Sequence, residues 1–584
     1  MVEIERYNQK KVQVIVTCIV MLVLLVVGAV TAVIIFLPSI TRNVFGQSPN
    51  KGVVVSNVKE CAAVGTSILS KGGNAVDSAI ATLLCETVSK PDLSKTGGDF
   101  VMTFFNKSTG EVFVLNAREP PQNSTTESLE NHMALHGIAN QTAGKLIVPV
   151  EIRAYWTAYK RLGGGVSWKE IIDPTIDLCL SGIEISVHTA KLIKQYKEII
   201  YSDLVLRETF INTETNDTYV KGQVFRRPKV AEMLKIISEK DIDVLFNSTY
   251  SNGSDVHENG FFYTDDEDNY EYIWQKHIEV ELGDGKKLIT APLPSAAISV
   301  ALSLKFIDSF RNLTNLNLTS SQITSILQGA YKSTVYNYMQ SNNVTNVTEV
   351  LQTVLKLEPN NFIRTWIAYS RVPKISSIEA SSILPDDYAI AHVNVLSVNG
   401  DAVSVTSTDN YEKLSKMSGI QDLSKTTGFR RDRFSSTDLD NNTTNDYSSF
   451  YKNDRLSEKY ISVACPIIIL DKDKTVLLVT GGIGDNTLLS NILQVLNNFI
   501  WRNMDIETAI LVENSNNSQL VPQNDFEEDM LGDNLKNETQ ETNDKMFISE
   551  IGEFSAVSTI VNSKATGVKG VYDKTSGGSV SYVT

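Results

Sequence analysis

Residues 386–410, DDYAIAHVNVLSVNGDAVSVTSTDN, constrain the fold of this 584-residue chain more than any other stretch. From Ala389 the residues alternate, with Ala391, Val393 and Val395 on one face and Ile390, His392 and Asn394 on the other. Asn399-Gly400 supplies a two-residue turn that favours positive φ, and Ala402, Val403 and Val405 begin a return strand. A hairpin pinned by that turn brings Ile390 level with Asp409, give or take a bulge, beside Thr408 and Asn410. A hydrocarbon at 390 is the anomaly in a row otherwise polar.

The rest of the chain reads as mixed helix and strand. Residues 75–86 and 151–161 have the pattern of buried or amphipathic helices, whereas 461–470 and 475–479 are Val- and Ile-rich strands. The net charge of −15 argues against a nucleic-acid partner. Six histidines show no metal-ligand spacing, so neither a metal nor another cofactor is expected. No internal repeat is evident.

The N-terminus carries an address. Residues 12–37 hold no charge, and at ~1.5 Å per residue they span a hydrocarbon core of ~30 Å. Arg6, Lys10 and Lys11 precede them, which predicts a single-pass type II protein of the plasma membrane with an extracellular ectodomain. The alternative is a cleaved signal peptide, for which the run is long. The expected organisation is a cytoplasmic tail at 1–11, a signal-anchor at 12–37, a stalk at 38–52 and an ectodomain beyond.

About fourteen Asn-x-Ser/Thr sequons, among them Asn106, Asn123, Asn216, Asn247, Asn312, Asn343 and Asn537, fit a secreted route, although an Asn- and Ser-rich chain also produces them by chance. They predict exposed loops at 247–254 and 312–348. The acidic, Asn/Gln-rich stretch 513–543 reads as another loop. Five cysteines are few for a disulfide-built protein. Cys18 falls in the apolar span, and Cys179 and Cys465 read as core residues.

The hairpin is similar, without a gap, to the start of the small subunit of γ-glutamyltransferases, the glutathione hydrolases. Their pattern runs Gly-Thr-x-His-x-Ser-Val, then Gly-x-Ala-Val-Ser-x-Thr-x-Thr-x-Asn; this chain has AIAHVNV, then GDAVSVTSTDN. GGNAVDSAIATLLCE at 72–86, VLNARE at 114–119, VPVEIRAY at 148–155 and GGSVSY at 577–582 resemble further blocks of the family, in the same order. The resemblance implies an N-terminal-nucleophile αββα sandwich of mixed α/β (α+β) class. It divides the ectodomain into a large-subunit-like part at 53–389 and a small-subunit-like part at 390–584. It also implies a Cys61–Cys85 disulfide, with two buried thiols as the alternative. Glutathione or other γ-glutamyl compounds are the implied ligands.

The residues implied for chemistry are unevenly retained. The family's threonine at position 390 cuts the precursor and then, with its freed amine as base, attacks the γ-glutamyl carbonyl. Here it is Ile390, and no serine, threonine or cysteine lies between 384 and 391. Arg118, Thr408, Asn410, Ser462 and Gly484 match substrate-holding positions. Arg118 could equally serve a buried ion pair, and Thr408 and Asn410 could simply satisfy backbone groups. Arg430 and Arg433 stand where acidic groups hold the substrate ammonium, a reversal costing roughly 1–4 kcal/mol in a partly wet site. Val463 replaces the second serine of a Ser-Ser pair, and Asp485 replaces a glycine of the oxyanion pair.

Three readings follow. The first is a membrane-anchored homologue that stays uncut and catalytically impaired, binding γ-glutamyl-like ligands or a protein partner. The second is an active extracellular glutathione hydrolase. The third is an adhesion or interaction ectodomain with no small-molecule site.

Overall fold

The computed structural model describes residues 52–89, 99–117, 146–147, 150–239 with short gaps, 261–262, 273–310, 323–361 in part and 387–410. It also describes 461–517 apart from 486, 555–583 apart from 565 and 574–577, and Met21. The chain divides into two compact units, Met1–Lys51 and Gly52–Thr584. Of the first only Met21 is described, an exposed helical residue, so the expected span at 12–37 lies outside the described residues. Among the described residues no helix is long and apolar enough to cross a membrane.

Two antiparallel sheets organise the second unit. In chain order the strands are β1 (Val53–Ser56), β2 (Asp99–Phe105), β3 (Val112–Ala117), β4 (Ile273–Gln275), β5 (Ile278–Glu281) and β6 (Lys287–Thr290). The hairpin follows as β7 (Asp387–Leu396) and β8 (Ala402–Asn410). Then come β9 (Ile467–Leu470), β10 (Val476–Ile483), β11 (Ala556–Ser563), β12 (Gly567–Tyr572) and β13 (Ser579–Tyr582). The first sheet runs β4-β3-β2-β8-β7-β1-β13, and the second runs β5-β6-β9-β10-β11-β12. The hairpin thus lies at the centre of the first sheet, buried on both sides.

Strand periodicity makes four layers. Val54, Val393, Val395, Val403 and Val405 share a core with helices α1 (Lys59–Ser70), α2 (Ala75–Ser89), α3 (Val150–Leu162), α4 (Trp168–Ser181) and α5 (Pro228–Glu239). The alternate residues Val53, Val55, Leu396 and Ala402 meet Ile289, Ile468, Val479 and Ile560 of the second sheet. The outer face of that sheet, through Ile467, Ile469 and Leu478, packs on α6 (Ala297–Phe310), α7 (Val344–Leu355), α8 (Thr487–Ile500) and α9 (Ile506–Asn517). This is an αββα sandwich, with helices, two sheets and helices in turn.

Local chemistry explains the element boundaries. Ser167 and Glu170 form a capping box that starts α4. In the GGNAVD block, the Asn74 carboxamide oxygen accepts from Val76 and Asp77 N–H at the start of α2. The Asp77 carboxylate accepts from Gly164 and Gly165 N–H at 2.9 and 2.8 Å, tying α2 to the loop after α3. Cys61 and Cys85 form a disulfide that joins α1 to α2.

Three expectations need correction. Only Ile467–Leu470 of the 461–470 run is strand, because Ser462 bonds through its backbone to Pro294 and Ala296 and Pro466 has no N–H for a ladder. Within the expected loop 312–348, Ile323, Leu327, Ala330 and Thr334 are helical and buried, and α7 begins at Val344. The helix α9 runs through Asn517, into the stretch expected to be a loop from 513.

Part of the space between the sheets is polar. His392 and Asn394 point toward the second sheet, with the His392 ring on Thr406 Oγ1 (2.8 Å) and Asn394 Oδ1 (3.0 Å). Asn394 Nδ2 donates to the Ser558 carbonyl at 3.0 Å, so its Oδ1 must accept. That sets the tautomer: Nε2–H donates to Asn394, and Nδ1 accepts from the Thr406 hydroxyl. A Cβ on Gly481 would lie 2.2 Å from His392 Cε1, so only glycine admits the ring there. Burial lowers the His392 pKa to about 4.

Two outcomes follow for stability. Cys61→Ser with Cys85→Ser removes a bridge spanning 24 residues and should cost about 3 kcal/mol, read as a lower urea midpoint. For His392 the folded pKa lies below the unfolded value of ~6.5, so the unfolded chain takes up the proton first. Its contribution is full above pH ~6.5 and is lost as the pH falls toward about 4, on the order of 3 kcal/mol. His392→Gln should flatten the slope of stability against pH in that window; an unchanged slope contradicts the assignment.

Candidate functional site

The site is built where the hairpin meets the ends of β9 and β10. Its turn differs from expectation. Ser397 N–H bonds the Asp401 carbonyl at 2.9 Å and Gly400 N–H bonds the Ser397 carbonyl at 3.0 Å, leaving Val398, Asn399 and Gly400 in the loop. Only Gly400 takes positive φ, at 93°. Asn399 instead uses its side chain, taking the Ser397 hydroxyl and Asp401 N–H and donating to the Asp401 carboxylate at 2.8 Å. A three-residue loop with one left-handed glycine therefore replaces the expected two-residue turn.

That extra loop residue moves the register, and a bulge moves it again. Leu396 pairs with Ala402 and Ala391 with Ser407, but Ala389 pairs with Thr408 and Tyr388 with Asp409. Ile390 is the extra residue, lying between the Ser407 and Thr408 levels rather than opposite Asp409. It is 4 % exposed. A bulge re-aims a side chain beside a site, and here the side chain re-aimed is an alkane.

Ala389, just before it, stays level with Thr408 on one side and bridges to Gly484 on the other. Its N–H bonds the Gly484 carbonyl at 2.8 Å, and its carbonyl accepts from Gly484 N–H at 2.9 Å. Gly484 has φ 135°, a conformation that favours glycine. The Gly484 amide, the position the resemblance assigns to the oxyanion, is thus held by the carbonyl of the 389–390 peptide bond. Asp485 follows, half-buried. Its Oδ1 accepts from Thr487 N–H at 2.8 Å and Thr487 hydroxyl at 2.7 Å, at the start of α8. The carboxylate that sequence reasoning placed against a developing oxyanion has this helix-starting partner.

Ser462 and Val463 face the same strand. Ser462 hydroxyl donates to Asp387 Oδ2, and Val463 N–H donates to Asp387 Oδ1 at 2.8 Å. Ser462 is anchored on its other side, with its N–H on the Pro294 carbonyl and its carbonyl on Ala296 N–H, both at 2.8 Å. Asp387 is the residue that sequence reasoning missed. Its signal was the Asp386-Asp387 pair directly ahead of a hydrophobic strand, where a buried carboxylate requires donors.

The remaining positions divide plainly. Thr408 is buried, 2 % exposed, and its backbone pairs with Ala389 and Asp99. Asn410 ends β8 opposite Asp387. Ile390, Thr408, Ser462, Val463 and Gly484 therefore gather around one strand end. Arg118, Arg430 and Arg433 lie outside the described residues, as do Asn123, Asn247, Asn312, Asn343 and Asn537. Of the sequons, Asn106 and Asn216 occupy tight turns, the latter exposed with φ 52°.

Comparison with known proteins agrees with this geometry. The chain is 25% identical to Scoloptoxin SSD14 of Scolopendra dehaani over 79% of its own length and 80% of that protein. It is 25% identical to Glutathione hydrolase 2 of Arabidopsis thaliana, covering 81% of each chain. A glutathione hydrolase proenzyme of Pseudomonas aeruginosa is likewise 25% identical, over 82% of this chain and 85% of that one. Among solved structures, a cephalosporin acylase from Bacillus halodurans superposes with TM-score 0.59 over 91% of this chain and 96% of that chain, at 16% identity, which speaks to fold alone. The family model for Gamma-glutamyltranspeptidase matches residues 61–583. By this match, together with the sandwich, the hairpin and the clustered site, the chain belongs to the γ-glutamyltranspeptidase family.

Proposed function

We propose that this protein is a family member that remains a single uncut chain and carries out γ-glutamyl transfer poorly or not at all, acting through a ligand or a protein partner instead. One observation carries the reading. Position 390 holds a buried isoleucine, which offers no hydroxyl to attack the preceding carbonyl and no route to a free α-amine. The ligands that fit the family are glutathione and related γ-glutamyl compounds. An anchor at 12–37, a plasma-membrane location with the ectodomain outside, and N-glycans at exposed sequons such as Asn216 belong to the same proposal.

A second reading is an active extracellular glutathione hydrolase. What favours it is the family match together with relatives that bear that name. It requires a nucleophile other than residue 390.

The two readings separate on a gel. Deglycosylated protein from cells should run as one band under denaturing conditions; two bands, cut ahead of residue 390, overturn the first reading. Turnover of a γ-glutamyl anilide should lie on the order of 10⁴-fold or more below that of an active relative, since loss of a nucleophile removes at least that factor. Ile390→Thr tests what else has changed. If the nucleophile alone is lost, the variant should cut itself at 389–390, because the carbonyl to be attacked already accepts from Gly484 N–H. Scission without transfer would place the remaining defect in the substrate-holding residues.

A further inference from the structure

Two acceptors ahead of Ile390 sit on donors from the second sheet. Asp387, 3 % exposed, takes Val463 N–H at 2.8 Å and the Ser462 hydroxyl on its two carboxylate oxygens. Two residues on, the Ala389 carbonyl takes Gly484 N–H at 2.9 Å. Ser462 and Val463 lie before β9 and Gly484 lies after β10. These strands are antiparallel neighbours, with Ile467 opposite Thr480, so all three donors occupy one end of the sheet. Ser462 and Val463 are fully buried, and Ser462 is held from behind by Pro294 and Ala296. The Ser462 backbone is therefore held by residues other than the carboxylate that its hydroxyl meets.

We propose that Asp387–Ala389 is a built-in occupant of the site, with the Asp387 carboxylate filling a subsite for a small carboxylate and the Ala389 carbonyl filling the Gly484 amide. This rests on the reading that the chain stays uncut, since scission after Ala389 would free the segment to leave. A group tethered in the same strand competes at high effective concentration, so a free carboxylate at millimolar level does not enter. Charge-assisted hydrogen bonds from buried donors add to the barrier, because removing their acceptor strands them without water. The uncut chain thereby keeps this subsite filled from its own sequence, and a γ-glutamyl ligand or a partner that uses it must first displace one strand end.

Thermal unfolding of the full-length chain tests this, with sodium formate, sodium L-glutamate and sodium chloride at equal ionic strength. The wild-type midpoint should respond to formate and glutamate no more than to chloride. Asp387→Ala should lower the midpoint by roughly 3 °C or more, and formate, but not chloride, should restore at least half of the loss saturably, because it binds only the folded state. Asp387→Ser, a milder change that still leaves room for formate, gives the same readout if the alanine variant does not fold. A residue that only packs the strand would lose stability with no rescue by formate. Absence of formate-specific rescue in a folded variant overturns the proposal, and so does a wild-type chain that glutamate stabilises as strongly as the variants. One band on the gel with no rescue overturns this inference alone, whereas two bands overturn the uncut reading beneath it.

Discussion

The two backbone hydrogen bonds between Ala389 and Gly484 are the constraint on which the site depends. They join the first sheet to the second at one point, and they do so one residue before the position where the family's chemistry takes place. The bulge at Ile390 exists because Ala389 must turn its peptide groups toward Gly484 while Ala391 rejoins the ladder at Ser407. Asp387 reaches Ser462 and Val463 because the strand is already held against the second sheet. Gly484 tolerates the join because its φ of 135° suits a residue without Cβ.

Around this point the inter-sheet space is divided by polarity. At one end Val53, Val55, Leu396 and Ala402 meet Ile468, Leu470 and Val476 in an ordinary apolar core. Elsewhere His392, Asn394, Ser404 and Thr406 meet Thr480, Ser558 and Thr559 through hydrogen bonds. A buried polar network of this kind contributes to stability only when its members are paired, and it fixes the relative register of the sheets more narrowly than apolar contacts do. Gly481 shows the same economy of space, since the His392 ring occupies what a side chain there would fill. The polar seam therefore orients the hairpin whether or not position 390 reacts.

Much of this was legible in the residues. The alternation from Ala389 predicted both the strand and its two faces, because side chains on a strand point to opposite sides with period two. The patterns at 75–86 and 151–161 predicted α2 and α3, and the structure adds three residues to the first helix beyond Glu86. The turn was misjudged for a definable reason. Asn-Gly favours a two-residue turn in general, but Asn399 keeps an ordinary φ because its side chain satisfies Ser397 and Asp401 directly. Such local competition is invisible until both ends of the turn are placed. For Asp485 the structure adds a partner that alignment does not show, since its carboxylate accepts from Thr487 at the start of α8.

What the sequence determined by itself was the fold class, the position of the hairpin and the identity of residue 390. The hairpin and residue 390 follow from strand periodicity and from which functional groups a side chain possesses, whereas the fold class is what the family resemblance of the blocks implies; none of these needs coordinates. What only the tertiary structure decided was which groups meet: Asp387 with Ser462 and Val463, Ala389 with Gly484, and Asp485 with Thr487. Those pairings join residues as far apart as Ala389 and Gly484 and depend on a one-residue bulge and a one-residue longer turn. Periodicity alone does not record such shifts, because one residue in a strand reverses the face to which every later side chain points.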